Sequence, residues 1–90
     1  MTGRKCLVTG ASRGIGKSIV KRLLESGALV VASASADEGL LALKSEFSEF
    51  GENLVIIRAD LSRKLDVELL CQSVTDSVGE IDVLINNAGI

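Results

Sequence analysis

Hydrophobic and polar positions alternate along the chain in two kinds of block. Short apolar runs, rich in β-branched side chains, are separated by longer segments whose apolar positions recur every three or four residues. Runs of the first kind are typical of strands buried on both faces, and segments of the second kind are typical of amphipathic helices. The short runs predict four strands, at residues 5–9, 29–34, 53–58 and 81–86.

Three helices are predicted between these strands, and each is followed by a glycine. The apolar stripes are Ile15, Ile19, Val20, Leu23 and Leu24 in the first helix, Leu40, Leu43, Phe47 and Phe50 in the second, and Val67, Leu70, Cys71, Val74 and Val78 in the third. The glycines are Gly27, Gly51 and Gly79. Helices commonly end at a glycine, because glycine adopts the left-handed conformation without a steric penalty.

Alternating strands and helices predict an α/β domain built on a parallel sheet. Right-handed crossovers favour the strand order 3-2-1-4, which places a topological switch point between the first and fourth strands. Ligands of such sheets bind there, at the carboxyl ends of the strands. Residues 9–10 and 86–87 fall at this point. We find no linker within residues 1–90, which predicts one domain.

Composition narrows the function classes. The net charge is −2, and basic residues are mixed with acidic ones, which argues against nucleic-acid and membrane partners. No apolar run approaches the roughly 18 residues of a membrane span, and we expect a cytoplasmic protein. The sequence contains no His, Tyr, Trp or Pro, which excludes imidazole bases and tyrosine acids among these residues. Cys6 and Cys71 are expected to be reduced core thiols, and no metal site is predicted.

The segment TGASRGIGKS, residues 9–18, fits two kinds of nucleotide site. Residues 11–18 nearly match G-x-x-x-x-G-K-[ST], the phosphate loop of nucleoside-triphosphate hydrolases, with Ala11 in place of the first glycine. Residues 9–16 spell T-G-x-x-x-G-x-G, a dinucleotide-binding turn. Both interpretations place backbone N–H groups at the start of a helix, where phosphate binds. The loop alone therefore leaves both open.

Two further motifs favour the dinucleotide. Asp60-Leu61 follows the third strand, and N-N-A-G follows the fourth at residues 86–89. With the loop at residues 9–16, in this order and at these separations, the sequence resembles the classical branch of the short-chain dehydrogenase/reductase superfamily, which includes bacterial 3-oxoacyl-carrier-protein reductases. The resemblance covers nearly all 90 residues but only the family's amino-terminal, cofactor-binding portion. It implies a Rossmann-like, doubly wound sheet, here incomplete with four strands and three helices.

The resemblance also implies a cofactor site. Its residues would be Gly10, Ser12, Arg13, Gly14, Ile15, Gly16, Ser35, Asp60, Leu61, Asn87, Ala88 and Gly89. Sites that select NAD place an acid at the end of the second strand, where this chain has Ala34. The missing charge, together with Arg13 and the Ser35 hydroxyl, favours NADP(H) over NAD(H).

Several of these residues have structural alternatives. Ser35 and Glu38 fit an S-x-x-E capping box, so that Ser35 could cap the second helix alone or in addition to binding cofactor. Asp60 could be an ordinary turn residue after a strand, and Arg13 an ordinary solvated cation. For Asn86 we expect a structural role, tying neighbouring strands together.

The family's catalytic Tyr, Lys, Ser and further Asn lie beyond N-N-A-G, so no catalytic residue is assigned. We expect the chain to be part of a longer NADP(H)-dependent oxidoreductase acting on carbonyls or alcohols, and to be inactive alone. A small carbonyl or alcohol substrate and homo-oligomers are expected only in a full-length form. The first alternative is an inactive relative that binds nucleotide or pairs through its uncovered fourth strand. The second is a nucleoside-triphosphate site.

Overall fold

The computed structural model describes residues 3–12 and 14–87. It contains four strands, β1 (Lys5–Thr9), β2 (Leu29–Ala34), β3 (Leu54–Arg58) and β4 (Val83–Asn86). The helices are α1 (Gly14–Glu25), α2 (Asp37–Glu46) and α3 (Lys64–Val78), and a short 3₁₀ helix, Ser48–Asn53, precedes β3. The predicted order of elements is confirmed, with β3 one residue and β4 two residues shorter at the amino end than expected.

All four strands are parallel, and they lie in the order β3-β2-β1-β4. This confirms the predicted order and the doubly wound α/β fold. In the register, Thr9 at the end of β1 lies beside Ser33 of β2 and Asn86 of β4. The carboxyl ends of β1 and β4 are therefore adjacent, as a switch point requires.

One face of the sheet is covered by α1 and α2. Alternate residues of β1 and β2 point to this face and pack against the stripes of the two helices. The resulting cluster, called the first core, consists of Cys6, Val8, Ala11, Val20, Leu23, Leu24, Ala28, Val30, Ala32, Ala34, Leu40, Leu43, Phe47 and Leu54.

The opposite face is covered by α3. Its buried cluster, called the second core, consists of Val31, Ala59, Leu70 and Val74. Partly buried side chains surround it, among them Leu7, Ile57 and Ile81. On this face Leu84 of β4 is 62% exposed, so α3 packs on the other three strands and leaves this side of β4 uncovered.

The second helix is shorter than its apolar pattern predicts. α2 ends at Glu46, and Phe50 lies in the 3₁₀ helix instead. Gly51 does not end α2, because it lies inside that segment with φ 55°. Phe50 still packs against the first core and against the ring of Phe47, at 6.3 Å between ring centroids. The apolar spacing thus reported a shared packing surface, and not one continuous helix.

Two other expectations about the stripes are corrected. Ile15 is 66% exposed and lies in the first turn of α1, whose buried residues include Val20, Leu23 and Leu24 further along the helix. Cys71 is exposed on α3, whereas Cys6 is buried as predicted. The glycine ends of the other two helices are confirmed at Gly27 and Gly79, both with positive φ. Among the helices that the structure describes, none is long and apolar enough to cross a membrane.

Candidate functional site

The tips of β1 and β4 are tied together by side chains. The Thr9 hydroxyl donates to Asn86 Oδ1 at 3.0 Å, and the backbone N–H of Asn87 donates to Thr9 Oγ1 at 3.0 Å. These bonds join residues that are far apart in the sequence but adjacent at the switch point. Asn86 therefore has the structural role that we predicted for it.

The glycine-rich loop is held against this joint. Asn87 Nδ2 donates to the backbone oxygen of Gly10 at 3.2 Å, and the N–H of Ala11 donates to the backbone oxygen of Ser33 at 3.1 Å. The loop is thus anchored to β4 on one side and to β2 on the other. The backbone of Gly10 and Ala11 is held by these bonds without a ligand, which lowers the ordering cost of binding.

Gly16 lets α1 approach the loop closely. A Cβ atom built there would lie 2.1 Å from the Gly10 oxygen and 2.8 Å from Asn87 Nδ2. Neither neighbour can move freely, because they are bonded to each other. Gly16, the third glycine of the motif, therefore permits close packing of α1, which is the role of the third glycine in dinucleotide-binding turns.

The amino end of α1 faces the same edge of the sheet. The helix begins at Gly14, within the glycine-rich segment 9–16, and its first turn contains no acidic residue. Unpaired N–H groups and the helix dipole make such an end attractive to phosphate.

The predicted site residues Arg13, Ala88 and Gly89 lie outside the described residues, whereas Ile15 is exposed and lines a shallow surface pocket with Ser18 and Ile19.

The start of α2 forms the other side of the site. Its N-cap is Ala36, in an extended conformation (φ −120°, ψ 133°) and without a side-chain capping bond. The predicted capping box at Ser35 is therefore wrong, because the helix begins one residue too late for the Ser35 hydroxyl to reach the N–H groups that an N-cap serves. Ser35 remains exposed between β2 and α2.

Asp60 is engaged in a turn. Its Oδ1 accepts from the Ser62 hydroxyl at 2.7 Å and from the Ser62 N–H at 3.0 Å, and its own N–H donates to Asp66 Oδ2 at 3.0 Å. The Ser62 hydroxyl, followed by the Ser62 amide, holds the pKa of the Asp60 carboxyl below its ordinary value. The carboxylate stays ionised at neutral pH and is fixed at the β3–α3 turn, beside the half-buried Leu61.

The arrangement of Lys17 and Ser18 does not favour the triphosphate interpretation. Lys17 Nζ pairs with Glu46 at 2.6 Å, at the far end of α2, and the Ser18 hydroxyl donates to the Gly14 oxygen at 3.4 Å. A phosphate loop would direct the lysine to the β- and γ-phosphates and the serine to Mg²⁺. Both side chains are instead turned back onto the protein.

Three residues of this region were not in the predicted site. Thr9 forms the joint, Gly39 of α2 contacts the loop, and the Ser33 hydroxyl is buried without a hydrogen-bond partner among the described residues. A glycine within a helical pattern is a signal that could have identified Gly39. No local sequence pattern predicts that the Ser33 hydroxyl is buried, because its burial results from packing between segments that are distant in the sequence.

The described residues thus form a cradle rather than a reaction centre. A fixed loop, a helix start that attracts phosphate and two glycines without room for side chains surround the carboxyl ends of β1, β2 and β4. Such a backbone surface fits the pyrophosphate and adenosine of a dinucleotide.

Comparison with known proteins agrees with this geometry. A family model described as short chain dehydrogenase matches residues 4–90. The chain is 41% identical over its whole length to 3beta-hydroxysteroid dehydrogenase 2 of Eggerthella lenta, of which it covers 35%. It is 37% identical to the 3-oxoacyl-[acyl-carrier-protein] reductase FabG of Haemophilus influenzae, of which it covers 36%. The chain therefore spans about a third of the length of these curated relatives.

Solved structures superpose on the entire chain or nearly so. A Pseudomonas aeruginosa RhlG/NADP active-site complex matches with a TM-score of 0.91 and 39% identity, over 100% of this chain and 36% of that one. An actinorhodin polyketide ketoreductase with NADPH matches with a TM-score of 0.90 and 35% identity, over 98% of this chain and 35% of that one.

Proposed function

The chain belongs to the short-chain dehydrogenase family, and we propose that it forms the cofactor-binding part of an NADP(H)-dependent oxidoreductase that interconverts a carbonyl and an alcohol. The observation that carries this proposal is the joint between β1 and β4. Thr9, Asn86 and Asn87 fix the glycine-rich loop at the sheet edge where the family binds its dinucleotide.

The end of β2 favours the phosphorylated cofactor. Ala34, the position where NAD-selective sites carry an acid, is 9% exposed and offers no charge. Its register partner on β3 is Arg58, whose side chain is exposed. A guanidinium beside this strand end adds positive potential where a 2′-phosphate would lie. Two structures with similar folds are described with NADP and NADPH, which is consistent with this choice.

The residues of this chain would bind and orient the cofactor. The loop and the start of α1 would hold the pyrophosphate, Ser35 and the start of α2 the adenosine ribose, and the Asp60 carboxylate the adenine amino group. The bound nicotinamide supplies hydride transfer to or from a carbon atom. The sequence contains no tyrosine, so the tyrosine acid that the family uses does not come from these residues.

Cofactor titration of the 90-residue chain tests the proposal. We expect NADPH to bind more tightly than NADH. Ala34→Asp should lower the NADPH-to-NADH affinity ratio by about tenfold or more, because the new carboxylate repels the 2′-phosphate and accepts from the ribose hydroxyls. Ala42→Asp controls for the added charge alone, since it adds the same charge on the exposed side of α2. Far-UV circular dichroism checks that Ala34→Asp, at a buried position, still folds. Equal loss of both cofactors in Ala34→Asp would contradict the NADP(H) choice, and binding of neither by the unmodified chain would contradict the site itself.

A further inference from the structure

Gly39 occupies an unfavourable position for a glycine. It is the third residue of α2 and is followed by Leu40, Leu41 and Ala42, which are all good helix formers. Glycine inside a helix is much less favourable than alanine, because it loses more backbone freedom on folding. The helix therefore accepts a cost at this position, which calls for a compensating contact.

The compensating contact is with the glycine-rich loop. A Cβ atom built on Gly39 would lie 2.7 Å from the Ser12 Cβ atom and 2.9 Å from the Ser12 hydroxyl. The Cβ atom belongs to the rigid part of the serine and cannot rotate away. A side chain at position 39 would therefore push the first turn of α2 and the loop apart.

Neither partner of this contact is free to adjust. Hydrogen bonds hold the two residues directly before Ser12: the Gly10 oxygen accepts from Asn87, and the Ala11 N–H donates to Ser33. On the other side, Leu40 anchors α2 in the first core, where it is 2% exposed. A strain introduced between them would widen the gap rather than be absorbed by a side-chain rotation.

We propose that Gly39 is a specificity-determining positioning residue: its missing side chain lets α2 meet Ser12, and this contact sets the distance between the loop and the start of α2 at which the 2′-phosphate of NADP(H) is held. The inference rests on the proposed function, and it adds a residue that touches no cofactor atom. A phosphate held between two protein segments needs both at hydrogen-bond distance, within about 3.2 Å. NADH lacks this phosphate and is less sensitive to the gap.

The proposal is tested by adding a side chain at position 39, by removing the side chain of Ser12, and by combining the two changes. Gly39→Ala should lower the NADPH-to-NADH affinity ratio by about tenfold, because the gap widens. Ser12→Gly should also lower the ratio, because the contact is lost from the other side. In the double variant the methyl group introduced at position 39 takes the room that the Ser12 side chain vacates. The ratio should return to within about threefold of that of Ser12→Ala, which lacks the same hydroxyl but keeps the contacting Cβ atom. Both affinities are measured by titration, with far-UV circular dichroism as a check of folding.

Ala42→Gly is the matched control, since it makes the reverse exchange on the exposed side of the same helix. It should lower thermal stability and leave the affinity ratio unchanged. A ratio that is unaffected by Gly39→Ala, or one that the double variant does not restore, would overturn the role of Gly39 while leaving the proposed function intact. If Gly39→Ala does not fold, the affinity ratios of Ser12→Gly and of the double variant are compared instead, and a double variant that does not restore the ratio overturns the role of Gly39. An unmodified chain that binds neither cofactor would instead overturn the proposed function and this inference with it.

Discussion

The two faces of the sheet differ in how far they are closed. On the face of α1 and α2, the described residues include fourteen buried apolar side chains in one cluster, and on the face of α3 they include four. The same strands contribute to both faces, and most of their central side chains are apolar on both. Burial is therefore decided by the helices that pack on each face, and not by the strands' own sequence.

The edge strand β4 shows the difference between the two faces most directly. Val83 and Ile85 point to the first core and pack against it, whereas Leu84 between them is 62% exposed. Leu84 lies in a groove with Leu7 and Cys71, between β4 and α3. Parallel strands are normally covered by helices on both faces. We therefore expect β4 to be the strand whose environment changes most when further protein packs on the sheet.

The largest expected effect comes from emptying one core position on each face. Leu40→Ala should lower the free energy of unfolding by about 2–5 kcal/mol, because it leaves a cavity inside a closed cluster. Leu70→Ala should cost near the lower end of that range, because the sparser second core can relax around it. Leu40 and Leu70 are 2% and 4% exposed, so burial is matched. Urea unfolding measures both; equal losses would show that the two faces are equally well packed.

A smaller effect is expected from the uncovered face itself. Leu84→Lys should reduce self-association, because it places a charge on an exposed apolar edge strand. Leu41→Lys, at an equally exposed leucine on the outer side of α2, is the matched control and should leave association unchanged. The free energy of unfolding should change by no more than about 0.5 kcal/mol in either variant. Sedimentation velocity over a range of concentrations measures association, and an equal response of the two variants would remove the distinction between the faces.

The smallest expected effect is the pH dependence of the β3–α3 turn, which borders the second face. The pKa of Asp60 is lowered from 3.8 in the folded chain, so its contribution to stability is present above that pH and is lost as the pH falls through the folded value. Ser62→Ala removes the principal hydrogen bond and should flatten this dependence, as should Asp60→Asn. Urea midpoints measured from about pH 5 to about pH 2 test this. A profile that neither substitution alters would assign the acid sensitivity to other carboxylates.

The sequence predicted those parts of the structure that depend on local pattern. The strand order, the two glycine helix ends and the adjacency of Thr9 to Asn86 followed from periodicity, handedness and motif position. The capping box at Ser35 failed, because an S-x-x-E spacing does not determine which residue takes the extended N-cap conformation. The continuous second helix failed as well, since Phe47 and Phe50 can share one surface across a change of helix type.

Contacts between segments that are distant in the sequence were beyond such reasoning. Gly39 against Ser12 and Lys17 with Glu46 join two helices and a loop, and neither pairing has a local signature. The proposed cofactor roles remain predictions for all of the assigned residues, and three of these, Arg13, Ala88 and Gly89, lie outside the described residues. The choice between a dinucleotide-binding turn and a triphosphate loop thus depended on how neighbouring segments are arranged in three dimensions.

The two cysteines give the chain a built-in chemical reporter. Burial, with the nearby Asp82 carboxylate second, raises the pKa of the Cys6 thiol and keeps it protonated inside the first core. Cys71 is exposed along the groove beside Leu84. Electrophilic labels therefore discriminate between them without any substitution. The signal of a dye attached to the Cys71 thiol of α3 would therefore change when any molecule binds over the exposed side of β4.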